Sequence, residues 1–386
     1  MSRIASTAKS FNPVLNNVFE KTVKYSYGRT HLRDPEACQK IIDKLDLTHH
    51  YKPNNFNIID VNPGYGLLSS MLNYELKPKN HILIEDKDKC VSTLTGMIDE
   101  LQNKSNNDSF ELYKKDAYEW ETYSDLIDKD KLISPIVQPY EKVNDDLLIV
   151  ANWTGMRDES IIAQWVGCCG NRNWLMKYGK VRMVIFVPAL SAMKFITEPG
   201  FRKRRRTGMK FSLFTDSKLV AITEAAEKTI SEDYKIEDKE SDEEKSLRGS
   251  SSNGGLKIPV GLGYDPRVLV RDQPPVITKA QYFRNADFAV IEVIPGDHTS
   301  NEIANIEYFM SSIYVTSAPL KSSITGVAPG AEYLLKLIPK DILEKKSYEL
   351  TNEDILEIAR AYEEWPFKPS LEDSYMGDFT QTEAYF

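Results

Sequence analysis

Phe56-Asn57-Ile58-Ile59-Asp60-Val61-Asn62-Pro63-Gly64-Tyr65-Gly66 runs a short apolar stretch straight into a turn rich in proline and glycine. A run of that length, closed by such a turn, reads as a buried strand. Glycines at its end allow the backbone to approach a ligand closely. Ahead of it, Asp34-Pro35 supplies an acidic N-cap followed by proline in the first helical position, so a helix is expected from there to about Leu45.

Beyond the turn a helix should start near Leu67. Then come a strand at His81–Glu85, a helix through Leu101, strands at Phe110–Lys115 and Leu147–Ala151, a long helix over Glu159–Lys177 and a strand at Val181–Val187. This alternation predicts an α/β fold with a parallel, doubly wound sheet. The pattern then changes. Met209–Ile222 and Asp287–Ile294 are strand-like with no helix between them, which suits a terminal antiparallel pair. The stretch Glu227–Asp272, acidic and containing Ser250-Ser251-Ser252-Asn253-Gly254-Gly255, is expected to be a disordered insertion. The predicted domains are a flexible N-terminus (1–20), an α/β domain (21–299), a helical domain (300–369) and an acidic tail (370–386).

Net charge is −8 over 386 residues, but it is unevenly placed. Residues 221–250 carry −5 and residues 351–386 carry −7, so the remainder is mildly basic, at about +4. The global sign therefore leaves a nucleic-acid partner open. No run of 18 apolar residues is present, so no membrane span is expected. The four cysteines (Cys38, Cys90, Cys168, Cys169) form no CxxC pair and the five histidines no HExxH, which argues against a zinc site and fits a reducing compartment. The first nineteen residues hold Arg3 and Lys9 but no acid, which fits either an organelle-targeting segment or a plain polar terminus.

Four positions at successive strand ends carry the chemistry. Gly64 lies in the first turn, and Glu85, nineteen residues after Gly66, is placed to bond both hydroxyls of a ribose. Asp116 ends the third strand, where an acid can meet an adenine amino group, and Asn152 ends the fourth. The plainer reading makes the glycine a turn and the acids helix caps.

At these residues the chain resembles the ribosomal RNA adenine dimethyltransferase family, and more closely its yeast mitochondrial branch, the transcription factor B proteins. The matching segments are Tyr27-Gly28…Leu32-Arg33-Asp34-Pro35, Ile59-Asp60-Val61-Asn62-Pro63-Gly64-Tyr65-Gly66 and Asp116-Ala117-Tyr118-Glu119-Trp120. Val150-Ala151-Asn152-Trp153-Thr154-Gly155, Gly170-Asn171-Arg172-Asn173-Trp174-Leu175 and Glu364-Trp365-Pro366-Phe367-Lys368-Pro369 are shared with the mitochondrial branch. The resemblance implies a class I S-adenosylmethionine-dependent methyltransferase sheet with a small C-terminal helical domain. It also implies a cofactor site at Leu32, Gly64, Glu85, Asp116 and Asn152, and a mitochondrial location, the matrix for a transcription role, with the intermembrane space left open.

Departures from the enzymes decide the expected function. Their Asn-Leu/Ile-Pro-Tyr/Phe motif, whose aromatic stacks on a flipped base, is here Asn152-Trp153-Thr154-Gly155. Their Gln-x-Phe-Leu is Arg29-Thr30-His31-Leu32, and their Gly-x-Gly-x-Gly has become Asn62-Pro63-Gly64-Tyr65-Gly66. Together these changes argue against efficient methyl transfer and leave Asn152 vestigial, with S-adenosylmethionine possible but not required.

The resemblance implies instead a transcription initiation factor that joins the mitochondrial RNA polymerase, supports promoter melting and holds the non-template strand. Tyr118 and Trp120, after the third strand, are expected to stack splayed bases. Arg202-Lys203-Arg204-Arg205-Arg206 is the sharpest basic run in the chain and is expected to meet phosphates, with Lys194 and Arg182 adding to that face. The acidic tail, ending in Tyr385-Phe386, is expected to restrain DNA binding by the free factor. The alternatives are an active rRNA dimethyltransferase, in which Trp153 replaces the lost ring, and a ribosome assembly protein that binds rRNA but not polymerase.

Overall fold

The structure is a computed structural model, and it describes residues 3–155, 158–235, 252–253, 256–257, 264–277, 287–314 and 318–369. Its centre is an eight-stranded sheet. The strands are β1 (Asn57–Val61), β2 (Asn80–Ile84), β3 (Phe110–Tyr113), β4 (Val143–Asn152), β5 (Lys180–Pro188), β6 (Thr215–Thr223), β7 (Val276–Ile277) and β8 (Phe288–Pro295). Their spatial order is β3-β2-β1-β4-β5-β8-β6-β7. Strands β1 to β5 are mutually parallel, and β8 lies antiparallel between β5 and β6.

Both faces of the sheet are covered, so its strands are apolar on both sides. Alternation sorts the side chains. Ile59, Val61, Ile149, Ala151, Ile185 and Val187 face one layer, while Ile58, Leu148, Val150, Val184 and Phe186 face the other. The second layer holds helices α1 (Pro35–Leu45), α2 (Leu67–Leu76) and α3 (Asp88–Ser105). The first holds α4 (Trp120–Ser124), α5 (Glu159–Asn171), α6 (Ala189–Phe195) and α7 (Arg206–Phe214). The C-terminal helices share that first core. Ile306, Phe309, Ile355, Ile358 and Trp365 are buried in one continuous cluster with the sheet.

Most of the expected elements are present. Asp34 caps α1, its side chain accepting from the Glu36 amide at 3.0 Å, and β6 and β8 form the terminal antiparallel pair. Four expectations need correction. The N-terminus is held rather than loose, because Ile4, Phe11, Leu15 and Phe19 are buried among the side chains of α2 and α3. These apolar residues are spread thinly through a polar stretch, which hides them from a sequence pattern. The long helix stops at Asn171, where Arg172 turns left-handed at φ 52°. Met209–Ile222 is only half strand, since its apolar start continues helix α7. The insertion is narrower than Glu227–Asp272, because Glu224–Lys235 and Arg267–Asp272 are helical. Val268 and Asp265 at its far end are fully buried, Asp265 paired with Arg267 at 2.8 Å. The Ser250–Ser251 stretch and the tail from 370 onward lie outside the described residues.

Candidate functional site

The C-terminal ends of β1, β2 and β4 meet the segment Ser26–Arg33, which crosses in front of them. This is where an open α/β sheet binds its ligands. Gly64 takes φ +63°, and its amide donates to Glu85 Oε2 at 3.2 Å. Glu85 is fully buried. Its two oxygens are not free for a ribose, because the Arg29 guanidinium meets both in a bidentate pair, at 2.8 and 3.1 Å. The Lys87 amide adds a donor to Oε1 at 3.1 Å. Burial works against the charge on Arg29, but the facing carboxylate outweighs it and holds the guanidinium above its ordinary range.

His31 closes the other side. A Cβ on Gly64 would lie only 2.2 Å from the His31 ring, so the imidazole presses directly on the loop. The ring is buried, with Nε2 3.0 Å from the Ser26 carbonyl and Nδ1 without a partner. Burial, reinforced by the Arg29 charge, pushes its pKa down to about 4. Tyr65 does not obstruct the turn. It is buried edge-on to His31, under the Arg33 guanidinium, and its hydroxyl donates to the Tyr25 carbonyl at 2.8 Å.

Asn152 is engaged within the chain. Its amide donates to the Thr30 carbonyl at 2.8 Å, and its oxygen accepts from the Thr154 hydroxyl at 2.7 Å. Thr154 in turn accepts from the Thr30 amide at 2.7 Å. A small cleft beside Asn152, bordered by Leu32, His31, Asp60, Leu68 and Phe186, holds about 40 Å³. That is room for a few water molecules. Among the residues expected to hold S-adenosylmethionine, Glu85 and Asn152 are thus already engaged within the chain. Asp116 is exposed, its carboxylate accepting from the Tyr118 amide at 2.9 Å as a turn cap.

Trp153 is fully buried on the sheet face opposite Asn152, so it cannot supply the ring lost beside Asn152. It belongs to an aromatic cluster with Trp165 at 5.6 Å, and Trp165 meets Trp174 at 4.7 Å. Tyr118 stands on this cluster, its ring 5.0 Å from Trp153, its hydroxyl bonded to Asp158, and nearly half of it exposed. Trp120 is half-buried and packs edge-on to Trp174 at 5.4 Å.

The basic run divides. Arg202, Lys203 and Arg205 are exposed. Arg204 is fully buried, donating to the Leu350 carbonyl at 2.6 Å and the Ser212 hydroxyl at 2.9 Å, so it cannot meet a phosphate. Arg206 reaches the Ser311 hydroxyl. Lys194 pairs with Glu159 at 2.8 Å on the surface, and Arg182 is drawn to Glu292 at 2.8 Å within the sheet, away from that face. Sequence reading misses Tyr25 and Tyr27, two exposed rings stacked 6.3 Å apart with the Lys89 ammonium over Tyr25. Their Tyr-x-Tyr spacing is the one signal that points to them.

Residues 20–360 match the family model described as ribosomal RNA adenine dimethylase. The chain belongs to this family. Among the dimethylase relatives, "Mitochondrial transcription factor 1" of Saccharomyces paradoxus is 30% identical over 94% of this chain and 95% of its own length. The protein of that name from Saccharomyces cerevisiae is 29% identical over the same shares, and that from Lachancea kluyveri 27% over 96% and 98%. The crystal structure of a dimethyladenosine transferase from Plasmodium falciparum superposes with a TM-score of 0.50 at 14% identity, covering 85% of this chain and 95% of that one. The dimethylase frame is thus the class I methyltransferase sheet with a helical C-terminal part.

Proposed function

We propose that this chain is a mitochondrial transcription initiation factor. It joins the mitochondrial RNA polymerase and holds the melted non-template strand on a methyltransferase frame that no longer transfers methyl groups. The end of β4 carries the reading. A base-modifying enzyme needs a free polar group and an aromatic clamp there. Here the Asn152 amide is tied to Thr30 and Thr154, and the next ring, Trp153, is buried on the other side of the sheet. The relatives named as mitochondrial transcription factors supply the compartment and the process.

The exposed groups suit single-stranded DNA. Stacking a splayed base on Tyr118, or on the Tyr25–Tyr27 pair, contributes about 1–3 kcal/mol. That is comparable with the few kcal/mol needed, roughly, to unstack a duplex step. Arg202, Lys203 and Arg205 offer phosphate contacts in the manner of any basic groove. This role does not require S-adenosylmethionine.

The deciding experiment adds the protein to mitochondrial RNA polymerase on a linear promoter duplex and on the same template pre-opened at the start site. Start-site transcription should depend on the factor far more strongly on the closed duplex. Methylation of small-subunit ribosomal adenines by the purified protein, with no effect on start-site use, would overturn the proposal.

A further inference from the structure

We infer that Arg29 is an internal ligand, its guanidinium standing in for a nucleoside's ribose at Glu85, so that Arg29 and His31 seal a latent nucleoside site in this fold. A ribose offers two adjacent hydroxyls to the two oxygens of such a strand-end acid. A guanidinium offers two parallel N–H groups at matching spacing, and Arg29 places them at 2.8 and 3.1 Å. The two occupants exclude each other, because each Glu85 oxygen already takes one backbone donor, from Gly64 or Lys87.

The same segment fills the rest of the cradle. His31, two residues on, lies against Gly64 where the loop would otherwise approach a ligand. Thr30, between them, is fixed from both sides by Asn152 and Thr154. The strip is thus bonded shut by its own Arg29 and by the Asn152 and Thr154 side chains at the end of β4. Behind it the Gly64 and Lys87 amides still hold the Glu85 carboxylate in place.

Release of Arg29 should therefore restore nucleoside binding. Titration calorimetry with adenosine and with S-adenosylhomocysteine reads this directly on the full chain, without any turnover. The natural chain should show no saturable binding. Arg29→Gln should bind both ligands saturably below millimolar concentration, with a ligand-dependent rise in Tm, and the added change Glu85→Gln should abolish that binding. Since Arg29→Gln leaves a buried carboxylate without its counter-charge, Arg29→Lys serves where it fails to fold. That variant keeps the charge but frees one oxygen, and weaker yet measurable binding is expected. Saturable binding of either ligand by the natural chain, or none by the folded variants up to millimolar ligand, overturns the inference. Neither result bears on polymerase stimulation, which is measured separately.

Discussion

His31 is neutral because it is buried, and that has a measurable sign. The unfolded chain takes up a proton at this ring near pH 6.5, whereas the folded chain does so only near 4. Between those values the unfolded state binds the extra proton, so the stability contributed by neutral His31 is whole above pH 6.5 and falls as pH drops toward 4. The full span is about 3 kcal/mol. Urea unfolding at pH 7.5 and pH 5 should show a smaller acid loss for His31→Phe than for the natural chain, and equal losses would show that the ring is not held neutral. Tyr118 allows a cleaner test of strand capture than Trp120, whose indole also packs on Trp174. Tyr118→Ala should slow opening of a closed promoter by about tenfold, the worth of one stacked base, while binding to a pre-melted promoter weakens less. Tyr118→Phe removes only the bond to Asp158 and should behave like the natural protein in that assay. At Arg29 the sequence displays the loss of a glutamine but not the gain of a plug, since its partner Glu85 lies 56 residues away.

Helices α5 and α7 meet closely, and the meeting explains the Gly170-Asn171-Arg172 signature. A Cβ on Gly170 would come within 2.6 Å of Ser300 Oγ and 2.9 Å of the Phe214 ring. Gly170→Ala should therefore cost about 1–2 kcal/mol despite its better helix propensity, read as a lower denaturation midpoint at unchanged slope. The loop before α7 mixes two jobs that a run of five cations conceals. Arg204→Met should lower stability by about 2 kcal/mol, since it strands the Leu350 carbonyl. Replacing Arg202 and Arg205 with alanine should spare stability and flatten the salt dependence of single-strand binding, by roughly 0.7 in log–log slope for each phosphate no longer neutralised. The first half of Met209–Ile222 reads ambiguously because a short apolar run fits a buried helix as well as a strand, and only its packing against α5 and α6 decides. The parallel strands are legible for the opposite reason. β1 and β2 in particular are short apolar runs closed by a turn or an acid at the ligand end.

The molecule joins a methyltransferase sheet to C-terminal helices through one shared core, with Trp365 buried against Tyr362 at the last described turn. Beyond that point the sequence is strongly acidic. A chain stopped at Pro369 should bind promoter DNA more tightly than the full chain in a titration at moderate salt, because like charge is removed from the approach of the strand. Equal affinities would mean that the tail plays no restraining part. The order of the sheet and the position of the site are readable from the sequence, because they follow from local pattern. The closure of the site is not, because it depends on side chains brought together only by the fold. Among those side chains, the edge-on contact that places Tyr118 on Trp153, with Trp165 and Trp174 behind, has an optical consequence. A base settling on the outer tyrosine comes to rest one ring away from a dry nest of indoles, so their emission should dim as promoter DNA opens. Initiation could then be timed by intrinsic fluorescence, without a dye on either strand.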